Sequence, residues 1–426
     1  MKTIKFFAAL ILIGGLFTFM GCEDDEPGDL KISGIEATGT DLESGEEVTK
    51  DLNAATAATD VPLDAVIKVT FSKTLDTETV TSSSVNLTSA DGSVTTDLAV
   101  DAEVLTITPG SELSRGTEYT LELTGDIQAE DGGVFTAVDR TFKTAGQGIV
   151  SPPQNDKQVA YFTFNNTLED YTGNHSHGTK AQVSGYVTDR FGYVKSAAEF
   201  NGETDILDVS NSGDLISPST SISFWMKVDL TDPNYENGMF IMGDMAEYGF
   251  FLELGKADFG PWLKVATRHK QHADATNSFG SATAWGDAIK GGDLQNDLSE
   301  WSGDLASMID KKWVHFVLSY DHTTGMKRVY LNATKVWEQD LQESDEWKMA
   351  DMHLDTESAS DYSTDVGIGF AGSSDNHSTG WADYQTVVDE DIAKTFSGYM
   401  DDVRFFSTAL SNAEVQSLYD SEKPAK

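Results

Sequence analysis

All eight tryptophans of this chain fall between Trp225 and Trp381, and two long stretches there gather rings with polar groups. Residues 256–311 carry Trp262, Arg268, His269, His272, Trp285 and Trp301 amid many Asn and Asp. Residues 342–395 carry Trp347, Asp375, Asn376, His377, Trp381 and Tyr384. A sugar presents flat apolar faces rimmed by hydroxyls. A site for it needs an aromatic ledge beside acceptors and donors such as Asp, Asn and Arg. Loops longer than about 12–15 residues are uncommon unless functional or disordered, and tryptophans argue against disorder. Trp262, Arg268, Trp285, Trp301, Trp381 and Tyr384 are therefore the candidate glycan-binding residues. The competing reading is that these rings pin the two stretches to the body of the protein. Trp225, Trp313 and Trp337 lie on predicted strands and are assigned to packing.

Other chemistry is sparser. His175-x-His177 and His269-x-x-His272 have zinc-like spacing but no third ligand in view, and read as solvated loop histidines. There is no Gly-x-Ser-x-Gly elbow and no cysteine after Cys22. A single cysteine excludes a disulfide framework. The 29 bases against 70 acids leave a net charge of −41. Such a chain repels phosphate backbones and anionic headgroups, which excludes nucleic acid and electrostatic membrane docking.

The chain begins with Lys2 and Lys5, then an apolar run from Phe6 to Met20, then Gly21-Cys22 and the acids Glu23, Asp24, Asp25 and Glu26. The run is shorter than the roughly 20 residues of a membrane span and suits a signal-peptide core. This start resembles a bacterial lipoprotein signal, although Phe19 and Met20 stand in the first two places of the usual Leu–small–small–Cys box. The resemblance implies cleavage of 1–21, acylation of Cys22 and an acidic tether over 22–29. Acyl chains contribute about 0.8 kcal/mol per buried CH₂, so membrane attachment is through the lipid anchor only. The acidic run also resembles a surface-export signal of bacterial lipoproteins. It implies lodging at the outer membrane, exposed on the cell surface.

The remainder divides at Gly146-Gln147-Gly148 and Ser151-Pro152-Pro153, where tyrosine and tryptophan become abundant. The linker is placed at 146–157, with domains at 30–145 and 158–426. In the first, Ala65, Ile67, Val69 and Phe71 share one face of a strand. Tyr119, Leu121 and Leu123 stand opposite Glu118, Thr120 and Glu122 in another. Val61-Pro62-Leu63, Phe71-Ser72-Lys73, Thr108-Pro109, Gly116-Thr117-Glu118-Tyr119 and Phe142-Lys143-Thr144 resemble a bacterial Ig-like domain of surface proteins. With no aromatic platform, it reads as a spacer.

The second domain has Ala160-Tyr161-Phe162, Phe200-Asn201-Gly202, a strand with Ile222, Phe224, Met226 and Val228 on one face, and a strand with Val314, Phe316, Leu318 and Tyr320 together. Asp401-Asp402-Val403-Arg404 and a short helix follow, with Ser411 and Glu414 spaced as a capping box. These blocks resemble a LamG / concanavalin A-like lectin or glucanase jelly-roll domain. The chain departs from it at Asn332-Ala333, where the family has Asn-Gly, and in insertions at about 256–311 and 342–395. Asn tolerates positive φ, so the turn is expected to survive. The fold class expected is all-β: an Ig-like β-sandwich followed by a concanavalin A-like jelly-roll β-sandwich.

The resemblance also implies a Ca²⁺ near Asp170 and Asn174 with Asp401 or Asp402, which alternation would aim at opposite faces. The other reading is a turn at Asp170 and structural hydrogen bonds for the Asp pair. Glu338-Gln339-Asp340-Leu341-Gln342-Glu343 matches the Glu-x-Asp-x-x-Glu pattern of related glucanases. Gln339 and Gln342 occupy places that are apolar there, so Glu338, Asp340 and Glu343 are weak catalytic candidates. The expected function is non-catalytic capture of poly- or oligosaccharide. The alternatives are a protein-binding adhesin or structural surface component, and a glucanase.

Overall fold

The computed structural model describes residues 28–424 apart from 55–56, 178–180, 211, 245–248, 258–259, 277–280, 285–288, 291–303, 344–347, 355–365 and 372–393. The chain divides into two compact units. One comprises residues up to Gly39 with Glu47–Thr144, the other Thr40–Glu46 with Ala145–Lys426.

Among the described residues the first unit is a sandwich of two five-stranded sheets. Period-2 alternation builds its core. Ala65, Ile67, Val69 and Phe71 are buried to within 2% of full burial, and Tyr119, Leu121 and Leu123 face them from the other sheet. The Tyr119 hydroxyl accepts from the Ser114 N–H at 2.9 Å, and its ring stacks on Phe142 at 5.7 Å.

The second unit is a larger sandwich. One sheet runs in the order Gly185–Val187, Ala197–Asn201, Ser397–Phe406, Thr220–Lys227, Trp313–Asp321, Met326–Leu331, Thr334–Asp340. Gln158–Phe162 also pairs with Ser397–Phe406. The other sheet is built on Leu207–Ser210, Val366–Ile368, Met239–Gly243, Phe250–Ala257 and Gly260–Gln271 in that order. Ile222, Phe224, Met226, Val314, Phe316 and Leu318 are fully buried between the sheets.

The first of these sheets is buried on both faces. Ser221, Ser223, Trp225, His315 and Ser319 point away from the sandwich core, yet all are within 2% of full burial. The helix Asn412–Glu422 is responsible. Its Val415 and Leu418 pack on Val317, Tyr330, Phe406 and Leu410. The helix starts at the expected capping box: Ser411 Oγ accepts from the Glu414 N–H at 3.3 Å, and Glu414 Oε2 accepts from the Ser411 N–H at 2.8 Å.

The Asn332-Ala333 turn survives with both residues left-handed, φ 48° and 59°. Asn332 holds it in place. Its N–H donates to the His315 carbonyl at 2.8 Å and its Oδ1 accepts from the His315 N–H at 3.0 Å. Ala333 gains nothing comparable and carries a Cβ in a conformation that costs an L-residue roughly 1–2 kcal/mol. Ala333→Gly is therefore expected to stabilise the protein by about 1 kcal/mol, read as a higher midpoint in denaturant unfolding with an unchanged slope.

Candidate functional site

Gly260–Gln271 is a strand, where the family comparison placed the start of an insertion. Its alternation explains this. Leu263 and Val265 point into the core, nearly fully buried, and Trp262, Lys264, Ala266 and Arg268 share the outward face. Its partner Phe250–Ala257 brings Phe251 opposite Ala266, Glu253 opposite Lys264 and Gly255 opposite Trp262. Two of the expected glycan-binding residues, Trp262 and Arg268, thus stand on one face of one strand. They stand six positions apart, or about 20 Å. Trp285, Trp301, Trp381 and Tyr384 lie outside the described residues, as does Cys22.

Trp262 rests on a bed of glycine. A Cβ at Gly255 would stand 2.3 Å from its Cζ2, and one at Gly238 would stand 3.2 Å from its Cη2. Both glycines let the six-membered end of the indole lie close to backbone while the residue remains half-exposed. Glu253 and Lys264 border it. The Lys264 ammonium is 3.4 Å from Glu253 Oε2, 6.0 Å from the Trp262 ring centroid and 5.8 Å from that of Phe251. Glu253 is 8% exposed, and burial raises its carboxyl above the ordinary range against the opposing pull of Lys264. Further along the face, Phe240 meets Phe251 and Phe370 edge-on at 5.5 Å in a small apolar cluster separate from the sandwich core. The arrangement offers a flat ring, an acceptor and a donor within one patch. Sequence reading missed Phe251, Glu253 and Lys264. A hairpin reading about Gly260 would have paired Glu253 with Lys264.

The reverse face of the same strand is polar at its far end. Lys327 reaches across the core to donate to the Val265 carbonyl at 3.2 Å and the Thr267 hydroxyl at 3.1 Å, with its ammonium 4.8 Å from the Trp337 ring. His269, expected in a solvated loop, is fully buried and bonded through Nε2 to Thr267 Oγ1 at 2.7 Å. His272 is exposed beside Asp274 at 2.7 Å, so this pair does not converge on a metal. His175 is also buried, whereas His177 is half-buried and pairs with Glu169 at 3.2 Å.

The calcium donor set does not fit an ion. Asp170 Oδ1 accepts from the N–H groups of Tyr161 and Thr172 at 2.8 and 2.9 Å. Its Oδ2 takes the Thr172 hydroxyl at 2.6 Å and the N–H groups of Asn174 and His175 at 3.1 and 3.0 Å. The Asn174 side-chain amide donates to the Val159 carbonyl at 3.0 Å. Asp401 and Asp402 do not point to opposite faces: both carboxylates receive the two ends of the Arg190 guanidinium. Asp402 is left-handed, φ 48°, and a register shift against Thr220–Lys227 occurs beside it. Such a bulge breaks the alternation. Among the described residues no three His, Cys, Asp or Glu side chains come together as a metal cluster.

Those aspartates belong to a buried ionic network. Arg190 also donates through Nε to the Glu422 carbonyl at 2.8 Å and lies 4.6 Å from the Trp225 ring. Arg404 donates to Glu422 Oε1 at 2.8 Å and Gln158 Oε1 at 2.6 Å, and stacks 3.5 Å over Tyr161. Burial and the neighbouring Asp402 push the Asp401 carboxyl well above its usual value, while for Asp402 the two arginines outweigh burial and lower it. Ser223 Oγ lies 2.8 Å from His315 Nε2, and Glu422 Oε2 lies 3.8 Å from the same nitrogen. This is not a catalytic triad: both partners meet one ring nitrogen, and Ser223 and His315 are sealed from solvent.

Glu338, the first acid of the glucanase pattern, is held by two bases. Burial works to raise the Glu338 carboxyl, but hydrogen bonds from Arg328 at 2.6 Å and Lys335 at 3.0 Å outweigh it, leaving a lowered pKa unsuited to a general acid. Asp340 ends the strand exposed, and Glu343 lies exposed beyond it.

With the geometry in hand, comparison with known proteins adds the following. The family model described as bacterial Ig-like domain matches residues 48–144. The first unit has the Ig-like β-sandwich fold, and most of it is similar to that family. No curated protein matches the chain. Among solved structures, the chain is similar to the botulinum neurotoxin serotype D ligand binding domain in complex with N-acetylneuraminic acid, at 16% identity and TM-score 0.38, over 63% of this chain and 52% of that one. It is similar to the binding domain of Paraclostridial mosquitocidal protein 1, at 16% identity and TM-score 0.39, over 62% and 52%. A third is the botulinum neurotoxin serotype G binding domain, at 14% and 0.37, over 62% and 50%. This chain spans about half the length of each, and at these values the likeness says nothing of a ligand.

Burial pushes the Lys327 ammonium down to about 7. Unfolded, the side chain keeps its ordinary value near 10.5. Between these values the unfolded chain holds a proton the folded one has shed, so this group's contribution makes stability rise with pH across that window. Lys327→Met is expected to stabilise the protein by roughly 2–4 kcal/mol at neutral pH and by progressively less toward pH ~10, measured by urea unfolding at several pH values.

Proposed function

We propose that this chain is a surface lipoprotein that captures poly- or oligosaccharide without cleaving it. Cys22 carries the lipid anchor at the bacterial outer membrane. The Ig-like domain is a spacer. The larger sandwich, which resembles a LamG / concanavalin A-like jelly roll, holds the ligand. The observation that carries this reading is Trp262, half-exposed on its glycine bed with Glu253 and Lys264 at its edge. A hexose face stacks on the indole, and the charged pair meets its hydroxyls. The pairing of Glu338 with Arg328 and Lys335, which lowers its pKa, supports binding over glycan cleavage at that residue.

Affinity electrophoresis of the soluble fragment beginning after Cys22, in gels holding a panel of soluble polysaccharides, tests the reading. At least one gel is expected to retard it. Trp262→Ala is expected to weaken that binding by about 1–3 kcal/mol, as for stacking of other flat rings. A protein adhesin would migrate unretarded in every gel, and a glucanase would release reducing ends. Separately, cells expressing the full chain and fed labelled fatty acid are expected to label it, and Cys22→Ala to abolish the label. Persistent labelling would remove the anchor assignment.

A further inference from the structure

The helix and the ionic network cover the outer face of the first sheet along the row of Trp225 and His315. Trp225 is fully used there. Its Nε1–H donates to Glu422 at 3.0 Å, and its ring stacks on Tyr419 at 5.7 Å. Alternation puts Lys227 and Trp313 on the same outer face two residues further along their strands, and at that row the cover ends. Lys227 pairs with Trp313 on one side and with Tyr399 on the other. Glu199 stands beside Tyr399, and Gly185 beside Glu199. All five are half-exposed, and a Cβ at Gly185 would meet nothing within 4 Å.

Trp313 and Tyr399 are two strands apart, or about 10 Å at the backbone. Their ring centroids are nevertheless 6.5 Å apart, with the planes tilted 41°. The rings lean toward each other across Lys227, whose ammonium is 5.9 Å from the Tyr399 centroid. Among the described residues the polar ends of this row have no protein partners. The Lys227 ammonium and the Glu199 carboxylate make no ion pair, and the Tyr399 hydroxyl and the Trp313 N–H make no hydrogen bond.

We infer that this row is a second carbohydrate site, which takes a short stretch of polysaccharide laid across the strands, so that the sandwich grips glycan on both outer faces. This rests on the carbohydrate reading of the domain but not on the Trp262 ledge. The two rings offer apolar faces to sugar rings, Glu199 accepts from hydroxyls, and Lys227 and the Trp313 N–H donate to sugar oxygens. From Glu199 to Trp313 is about 14 Å at the backbone, which suits an oligosaccharide stretch rather than a single ring. Once one face holds a polymer, the other face meets it at raised local concentration, so the two sites reinforce each other.

The test runs the soluble fragment in gels holding starch, xylan, hydroxyethyl cellulose or polygalacturonate. In a gel that retards the parent, Trp313→Ala is expected to weaken binding about tenfold, and Lys227→Gln to weaken it in the same direction. Trp262→Ala is expected to keep a residual retardation, which adding Trp313→Ala removes. Circular dichroism of each variant checks that the fold is kept, and Lys227→Gln, which takes away a charge and no ring, carries the test if Trp313→Ala unfolds. Trp313→Ala and Lys227→Gln retarded as the parent is, or Trp262→Ala alone abolishing retardation, overturns the second site and leaves capture at Trp262 standing. Full retardation of Trp262→Ala with none of Trp313→Ala supports this row and overturns the Trp262 ledge. Passage through all four gels overturns both.

Discussion

The larger sandwich depends on closing charges away from water under one helix. Arg190, Arg404, Asp401 and Glu422 are all within 8% of full burial, and the Asp402 side chain beside them is 13% exposed. Unpaired, each would cost several kcal/mol, and the arrangement holds only because guanidinium forks, a carboxylate pair and a glutamate interlock. Glu422 is the keystone, meeting Arg404, Trp225 and, through its backbone carbonyl, Arg190. Removing one member strands the others. The network ties the opening strand, the 189–190 segment, the closing strand and the helix into one block, and so occupies the outer surface of the first sheet.

That occupation has a functional consequence. A two-sheet sandwich has two outer faces. One here is covered by a helix and a sealed ionic network. The other carries Trp262, Glu253 and Lys264, and further along it Phe240, Phe251 and Ala266 form a buried apolar cluster. The glycines at 238 and 255 are part of this chemistry, because a side chain at either would lift the indole from the backbone. A rigid ring on a β-strand is placed more precisely than one on a loop, and this suits recognition of a flat ligand face.

Much of the fold was legible because period-2 alternation is a local signal. Ile222, Phe224 and Met226, or Tyr119, Leu121 and Leu123, announce their buried face directly. The Asn332 turn and the Ser411 capping box were readable for the same reason, since each is decided within four residues. The burial of Ser223 and His315 was not readable, because it depends on a helix nearly a hundred residues or more further along. Asp401 and Asp402 misled because alternation assumes a regular strand, and one left-handed residue undoes it. Trp262 and Arg268 were recognised by composition but assigned to an insertion. Pairing with Phe250–Ala257 makes them a strand face, and that pairing also supplies Glu253. Gly255 mattered for having no side chain, which composition does not flag.

The account stands on a sugar ring lying against Trp262. The most direct measurement is a crystal structure of the protein with a bound oligosaccharide. The account predicts a pyranose face stacked on the Trp262 indole, with Glu253 and Lys264 within hydrogen-bond reach of its substituents. An oligosaccharide bound elsewhere, with the indole bare, would contradict it.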